Sequence, residues 1–368
     1  MASPNAIVGN ITGIEPPLGG APTGQSLGGQ VYVVHLAGGR RVQLDPADGR
    51  SAGLAQILDG LRKLGLPVYL EVHPESHFIT RLLIPLLSRV ESLQPFGEQA
   101  VIVELEHSQA THLLQRANAD FEAMEREARA AMASRAPVIL TEDDAHHIID
   151  IRLFTPNPGV PLPPFLELRA PVERRPRSLR SLWEWICFWR WCCCLSATRA
   201  QQVFNAMSAT TCNPLTVPPP CIPFLYPDDG CWARAHEMCR LMIALGLGPQ
   251  KVWIRGNLDV QTKNNPSCHV RWGWHVAPTL CVRGPGFFQT QRMVIDPSLF
   301  TNPITEAAWK GVQGDVNATL TDTDASQYWP SGGTDPAYVD TNFRLAYYRL
   351  QLQNRALQFG SPPYANCP

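Results

Sequence analysis

The chain has 368 residues, of which 45% are hydrophobic and 17% charged, and its formal net charge is −1. This composition excludes an intrinsically disordered chain, and the near-zero charge gives no reason to expect a nucleic-acid partner. Because a chain of this length exceeds what one hydrophobic core usually supports, we expect two domains.

Residues 1–154 are predicted to form a separate α+β domain. The glycine pair at 38 and 39 separates two strand-like runs, Val31 to Leu36 and Arg41 to Leu44. An amphipathic helix is predicted from Ala52 to Leu64, and a long helix with mixed Glu and Arg from His107 to Ser134. Further strands are predicted at 68–72, 78–83, 100–105, 138–140 and 147–153.

One short run in this domain contains several metal-binding residue types. His146 and His147 lie close to Asp143 and Asp144. The run has neither the helical nor the finger-type spacing of a metal site. We therefore expect a solvated turn here, and we predict no metal site and no cofactor for the chain.

Residues 155–196 are predicted to be a linker. Its first part is rich in proline and therefore stiff and extended. The basic run at 174–180 fits either a target for a trypsin-like processing protease or an ordinary solvated linker. The Trp- and Cys-rich run at 182–195 has about 14 residues, too few for the roughly 20 that a membrane-spanning helix needs. We favour packing between the domains for it over contact with a membrane surface, and metal binding by its cysteines is favoured least.

Cys231 is the most informative residue of the remaining segment, 197–368. Turn-forming residues at 227–230 precede it, and apolar residues recur at helical spacing from Trp232 to Leu245. The thiol is therefore predicted on the first turn of a buried helix. Unpaired backbone N–H groups there favour a thiolate and can stabilise an oxyanion. A buried structural cysteine or one half of a disulfide is the alternative.

A nucleophilic thiol requires a base and a group that orients the base. His236 lies five residues along the same helix, about 140° around its axis, and therefore points away from Cys231. His275 lies in a strand-like aromatic run, and Asp296 ends the next apolar strand. His269, six residues before His275, is too far along the strand to share its site. Cys231, His275 and Asp296 are thus the predicted catalytic residues, in the chain order of papain-like and transglutaminase-like thiol enzymes.

Several separate segments resemble the bacterial protein-glutaminases, also called protein-glutamine glutaminases. The resemblance is good over roughly residues 200–310 and looser to 368. The matching segments are Asp229–Met238, Gly256–Leu258, Trp272–Ala277, Val294–Phe300 and Ala307–Trp309.

The resemblance implies both a fold and an activity. It implies an α+β fold with a transglutaminase-like (papain-like) catalytic core, and hydrolysis of the side-chain amide of protein- or peptide-bound glutamine. By alignment of the motifs, the family triad falls on Cys231, His275 and Asp296. We also expect Trp274 and Asn257, within these segments, to bind the substrate.

The resemblance has further implications outside the triad. Cys212 and Cys221 match a cysteine pair upstream of the family nucleophile, so we expect a disulfide between them. Independently of the resemblance, Cys239 lies on the buried face of its predicted helix, where we expect it to fill apolar space. By its position in the chain, the N-terminal domain corresponds to a pro-region that acts as an intramolecular inhibitor. The family is secreted, whereas the start Met1-Ala-Ser-Pro-Asn5 has no feature of a secretory signal, so localisation stays open.

Two alternative functions remain open at this stage. In a transglutaminase, a lysine amine would replace water as the acyl acceptor, and the triad does not distinguish the two reactions. The chain could instead be a non-catalytic binding or effector protein with this fold, although an intact triad argues against it.

Overall fold

The computed structural model describes residues 5–16, 18, 31–156, 166, 194–214, 221–284, 286 and 289–368. The chain is a mixed α/β protein that divides into two compact units. The first contains Met1–Leu166 and Ala346–Cys367, and the second contains Glu167–Leu345. The compact units therefore differ from the predicted domains, since residues 346–367 group with the N-terminal unit. Most of the predicted linker, including residues 182–193 of the Trp- and Cys-rich run, lies outside the described residues.

Two five-stranded antiparallel sheets form the first unit, in the orders β3-β2-β1-β4-β5 and β10-β9-β6-β7-β8. The predicted strand pair around Gly38 and Gly39 is confirmed as β2 and β3. Strands β1 and β6 were not predicted, and each lies at the centre of its sheet. The strands are β1 Ala6–Glu15, β2 Tyr32–Leu36, β3 Arg41–Leu44, β4 Pro67–Val72, β5 Ile79–Leu83, β6 Leu86–Phe96, β7 Ala100–Leu105, β8 His112–Gln115, β9 Pro137–Glu142 and β10 Ile148–Leu153.

The helices of the first unit are α1 Ser51–Leu64, α2 Phe121–Ser134 and the C-terminal part of α6 Val339–Phe359. Helix α1 approaches α6 closely at two glycines. A Cβ atom added to Gly60 would lie 2.7 Å from Leu350 Cδ2, and one added to Gly53 would lie 2.8 Å from Leu357 Cδ1. A larger residue at either position would therefore force the facing leucine side chain to shift.

The long helix predicted from His107 to Ser134 is wrong in its first half. Only Phe121–Ser134 is helical, and His112–Gln115 is strand β8, paired antiparallel with β7. The charged run 121–134 does have helical periodicity and buries Phe121, Met124 and two alanines. Preceding it, the Leu113-Leu114 pair is buried by pairing with a strand that the local pattern does not reveal.

The expectation of a solvated turn at 143–147 is also wrong for His146. Its ring is buried and its Nδ1 lies 2.8 Å from Glu142 Oε1. His147 and Asp143 remain partly exposed, as expected for a turn. The turn folds onto β8, because the backbone N–H of Leu113 donates to the carbonyl of His146 at 2.8 Å.

A five-stranded antiparallel sheet, in the order β14-β13-β12-β11-β15, forms the centre of the second unit. Its main core is apolar and includes Val252, Ile254, Trp272 and Trp309. The strands are β11 Gln250–Gln261, β12 His269–Arg283, β13 Thr290–Val294, β14 Ile304–Thr305 and β15 Thr319–Asp324, with a separate hairpin of β16 Gln327–Trp329 and β17 Gly332–Thr334. The helices are α3 Ala197–Ser208, α4 Cys231–Ala244, α5 Glu306–Gly311 and the start of α6.

Two disulfides tie loops of the second unit to its framework. The predicted bond between Cys212 and Cys221 is confirmed, and a bond between Cys194 and Cys281 was not predicted. Leu195, next to Cys194, pairs with strand β12, which contains Cys281, and donates its N–H to the carbonyl of Cys281 at 2.9 Å. Among the described residues, Cys231 and Cys239 are the cysteines that lie outside disulfides, and both are buried. The part of the chain that the structure describes contains no helix with the length and apolarity needed to cross a membrane.

Candidate active site

Cys231 is the first residue of helix α4, as the sequence predicted. Gly230 caps the helix in the left-handed region, with φ 80°, where a residue with a side chain would be strained. Its own N–H donates to Asp229 Oδ1 at 2.9 Å, so the turn before the thiol is fixed locally. The N-terminal N–H groups of a helix lack intrahelical partners, which makes this position suited to holding negative charge.

Arg234 holds the turn that precedes Cys231, a role that the sequence analysis missed. Its Nη1 donates to the carbonyls of Tyr226 at 2.9 Å and Asp229 at 2.5 Å, and its Nη2 donates to Pro227 at 3.3 Å. The guanidinium is buried, so these three carbonyls satisfy a charge that would otherwise be costly to desolvate. It therefore couples the first turn of α4 to the loop in front of the thiol.

His275 and Asp296 form a buried pair close to the thiol. The Nε2 of His275 lies 2.8 Å from Oδ2 of Asp296. The exposed fractions are 1% for His275, 3% for Asp296 and 1% for Cys231. The backbone of Val276, next to His275, hydrogen-bonds the sulfur of Cys231. Among the residues that the structure describes, none hydrogen-bonds the Nδ1 of His275, so one ring nitrogen is held by the carboxylate and the other remains available for a proton.

Two indole rings enclose the imidazole of His275. Trp272 stacks on it with ring centroids 4.5 Å apart, and Trp309 stacks with centroids 5.4 Å apart. Trp309 also donates its Nε1–H to Oδ2 of Asp296 at 3.0 Å, whereas Trp272 donates to the carbonyl of Asp228 at 2.8 Å. The imidazole plane and the carboxylate are thus fixed by neighbours on both sides.

A register shift explains how Trp272 and His275 come to share one face. Residues three apart on a regular strand face opposite sides of the sheet. Here the pairing of β11 with β12 shifts between Arg255 and Leu258. The irregularity brings both rings into the same buried layer, which a regular alternation would not do.

Burial and charge act in opposite directions on the two acidic groups. Burial raises the pKa of the Cys231 thiol well above its usual value, and the Arg234 charge and the Val276 hydrogen bond offset this only in part. Burial also disfavours the ionised carboxyl of Asp296. The His275 charge and the hydrogen bonds from His275 and Trp309 outweigh this effect of burial, so the pKa of Asp296 lies below its usual value. In the resting site, the Cys231 thiol is therefore neutral and the Asp296 carboxylate is ionised.

The two predicted substrate-binding residues lie in different surroundings. Trp274 is half-buried, and its ring lies 5.6 Å from that of Trp232 and 5.7 Å from that of Trp253. Asn257 is exposed, within the shifted part of β11, and its backbone N–H donates to Asp315 Oδ2 at 2.9 Å. Trp274 is thus supported by two aromatic rings, whereas the backbone of Asn257 is held by Asp315 and its side chain is exposed.

The other two histidines weighed as partners for Cys231 have partners elsewhere. His236 is buried, its Nδ1 lies 3.0 Å from the Nζ of Lys251, and burial followed by the Lys251 charge lowers its pKa to about 4. His269 pairs with Asp259 at 2.8 Å. Arg234, Trp272 and Trp309 all lie in segments that the family resemblance had already marked, but the sequence analysis assigned a role to none of them.

Comparisons with known proteins support the family resemblance. Residues 200–313 match a family model described as Glutaminase, which confirms the resemblance predicted for this region. A crystal structure of a mutant of pro-protein-glutaminase is similar in fold, with a TM-score of 0.50 and 22% identity, covering 72% of this chain and 92% of that chain. An NMR structure of protein-glutaminase from Chryseobacterium proteolyticum has a TM-score of 0.36 and 28% identity, covering 48% of this chain and 94% of that chain. A search of curated proteins gave no significant match.

Proposed function

We propose that the chain is a hydrolase that deamidates protein- or peptide-bound glutamine to glutamate and releases ammonia. The glutaminase match over residues 200–313 supports the activity. The observation that carries the mechanism is the buried pair of His275 and Asp296 beside a thiol at a helix N-terminus. We further propose that residues 197–368 have a transglutaminase-like catalytic core, in which Cys231, His275 and Asp296 form the triad.

The first half of the reaction is acylation of Cys231. His275, oriented by Asp296, accepts the thiol proton, because burial keeps the pKa of Cys231 too high for it to ionise alone. The thiolate attacks the carboxamide carbon, and backbone N–H groups at the start of α4 stabilise the oxyanion. His275 then protonates the leaving nitrogen, which departs as ammonia and leaves a thioester.

The second half of the reaction is hydrolysis of the thioester. Water gives a proton to His275 and attacks the acyl carbon, and collapse of the intermediate releases glutamate and restores the thiol. Trp274, supported by two neighbouring indoles, lines the slot for the glutamine side chain. The exposed side chain of Asn257 contacts the substrate outside this slot.

The test of this proposal compares two cysteines on the same helix. Cys231→Ala should abolish ammonia release from a glutamine-containing peptide. Cys239→Ala, which removes the other described cysteine outside a disulfide, should retain it. Mass spectrometry should show conversion of glutamine to glutamate without crosslinked product. Activity in Cys231→Ala would disprove the mechanism, and crosslinking to a lysine peptide would identify a transglutaminase instead.

We also propose that the N-terminal region is an intramolecular inhibitor. A unit without any residue of the triad precedes the catalytic residues in the chain, and a tethered unit has a high effective concentration at the site it covers. A proteolytic cut within the basic run at 174–180 should raise activity on proteins more than on a small dipeptide. A cut is preferable to a deletion, because residues 346–367 belong to the same compact unit as the N-terminal region. Equal rates before and after the cut, on both substrates, would exclude inhibition.

A further inference from the structure

Three metal-ligating side chains meet inside the first unit, away from the triad residues in the chain. Nδ1 of His112 lies 2.6 Å from Oε2 of Glu142, and Nδ1 of His146 lies 2.8 Å from Oε1 of the same carboxylate. One ligand atom from each residue can be chosen so that all lie within 4.8 Å of one another. His112 is fully buried and His146 is 6% exposed. The Glu142 side chain is 13% exposed, so the cluster is a compact, largely buried group of two imidazoles and one carboxylate.

Three different elements supply these residues. His112 begins β8, Glu142 ends β9, and His146 lies in the turn between β9 and β10. The turn is fixed against β8 by the hydrogen bond from Leu113 to the carbonyl of His146. His146 itself has φ 59°, a left-handed conformation that a residue with a side chain adopts only when its surroundings impose it. The fold thus holds the third ligand in place at a conformational cost.

We propose that His112, Glu142 and His146 form a zinc-binding site. Two histidine nitrogens and one carboxylate oxygen are a ligand set that Zn²⁺ uses in proteins, with a water molecule as the fourth ligand. Nε2 of His112 lies 2.8 Å from Oγ of Ser108, the kind of outer contact that orients a metal-bound imidazole. The ligands come from β8, from the end of β9 and from the β9–β10 turn, so the ion would join β8 to that turn.

Binding requires a small rearrangement of protons and ligand atoms. A neutral imidazole carries one ring proton, so a metal on Nδ1 requires that proton on Nε2, where the hydroxyl oxygen of Ser108 accepts it from His112. Around a tetrahedral ion with bonds of about 2.0–2.1 Å, neighbouring ligand atoms lie about 3.3 Å apart. The imidazole that shares the ligating oxygen of Glu142, now 2.6 or 2.8 Å from it, would therefore move away by about 0.5–0.7 Å. Ligand atoms that now lie farther apart, within the 4.8 Å limit, would move closer.

The experiment measures Zn²⁺ uptake by the full chain after treatment with a chelator. A Cys231→Ala background removes the thiol proposed as the nucleophile, which would compete for the ion. Titration calorimetry and elemental analysis should give one Zn²⁺ per chain. His112→Gln and His146→Gln should lose this uptake. His147→Gln, which changes the partly exposed neighbouring histidine, should keep it.

Spectroscopy and thermal unfolding supply a readout that does not depend on the variants. Co²⁺ bound in place of Zn²⁺ should show the absorption of tetrahedral nitrogen and oxygen coordination, without a thiolate charge-transfer band. Zn²⁺ should raise the melting temperature of the background protein and of His147→Gln, but not that of His146→Gln. The proposal is overturned if the background protein takes up no stoichiometric Zn²⁺, if the Co²⁺ spectrum shows thiolate ligation, or if His112→Gln and His146→Gln bind Zn²⁺ as the background does.

Discussion

Replacing Trp309 by phenylalanine tests how the His275–Asp296 pair is held. Trp309 makes two contacts with the pair, a ring stack on His275 and a hydrogen bond to Asp296. Phenylalanine keeps an aromatic ring against the imidazole but has no N–H group to donate. The substitution therefore removes one of the hydrogen bonds to the carboxylate, and those from His275 and from the backbone of Ser298 remain.

The magnitude follows from the burial of that carboxylate. A hydrogen bond to a charged, buried acceptor contributes about 1.5–3 kcal/mol. If the carboxylate must be fixed and ionised for His275 to accept the thiol proton, kcat/KM should fall roughly 10- to 100-fold. KM should change little, because the indole contacts His275 and Asp296 and is fully buried. The lost bond also raises the pKa of Asp296, so the acidic limb of the pH profile should move to higher pH.

The assay is ammonia release from a glutamine-containing peptide, measured across pH, with Trp272→Phe as the matched control. Trp272 stacks more closely on His275 but donates its hydrogen bond to the carbonyl of Asp228. This variant removes a similar volume and should leave the acidic limb unchanged. Melting temperatures of both variants check that they fold. The reasoning is refuted if Trp309→Phe has the wild-type limb, or if both variants shift it equally.

Three further predictions follow from other contacts in the second unit. Asp296→Asn should lower kcat/KM about 10³- to 10⁴-fold, because an amide would place an N–H group against His275 or Trp309, which both contact the carboxylate. Single-turnover ammonia release would measure this decrease, and a decrease below tenfold would contradict the prediction. Burial lowers the pKa of Lys251 to about 8 from its usual 10.5. At pH values between these two, the unfolded chain therefore binds one more proton than the folded chain. Relative to Lys251→Met, the free energy of unfolding should then rise with pH across that window by on the order of 3 kcal/mol. Denaturant titration would measure this, and parallel pH profiles of the two proteins would disprove the lowered pKa of Lys251. Arg234→Lys should lower both the melting temperature and the activity, because a lysine ammonium lacks the planar, forked donor geometry with which the guanidinium binds the carbonyls of the turn. Arg240→Lys, at a more exposed position of the same helix, is the control and should change neither.

Local patterns were sufficient for the elements that carry the proposed nucleophile. The turn residues before Cys231 and the helical spacing after it predicted the start of α4, and the structure places the start there. The same holds for α1 and for the strand pair of β2 and β3, whose signals lie within a few consecutive residues. Capping, turn formation and amphipathic periodicity are local properties, so a sequence reveals them directly.

Non-local pairing was not readable in the same way. The sequence predicts a helix over the run 107–115, whereas His112–Gln115 forms a strand because it pairs with β7. Strands β1 and β6 likewise take their central places through pairing with strands that are distant in sequence. The burial of His146 is likewise decided by β8 and not by its own polar turn. A short segment that can satisfy its backbone as helix or strand takes the form its partners stabilise.

The sequence by itself determined which residues can carry the chemistry: a thiol at a helix start, a histidine on one strand and a carboxylate at the end of the next. Only the tertiary structure decided how they are held. The register shift that brings Trp272 onto His275, the bond from Trp309 to Asp296 and the Arg234 contacts to the turn all join residues through space. Residue types and local periodicity fix chemical capacity and local conformation, whereas burial, orientation and pKa depend on which distant groups the folded chain packs against them.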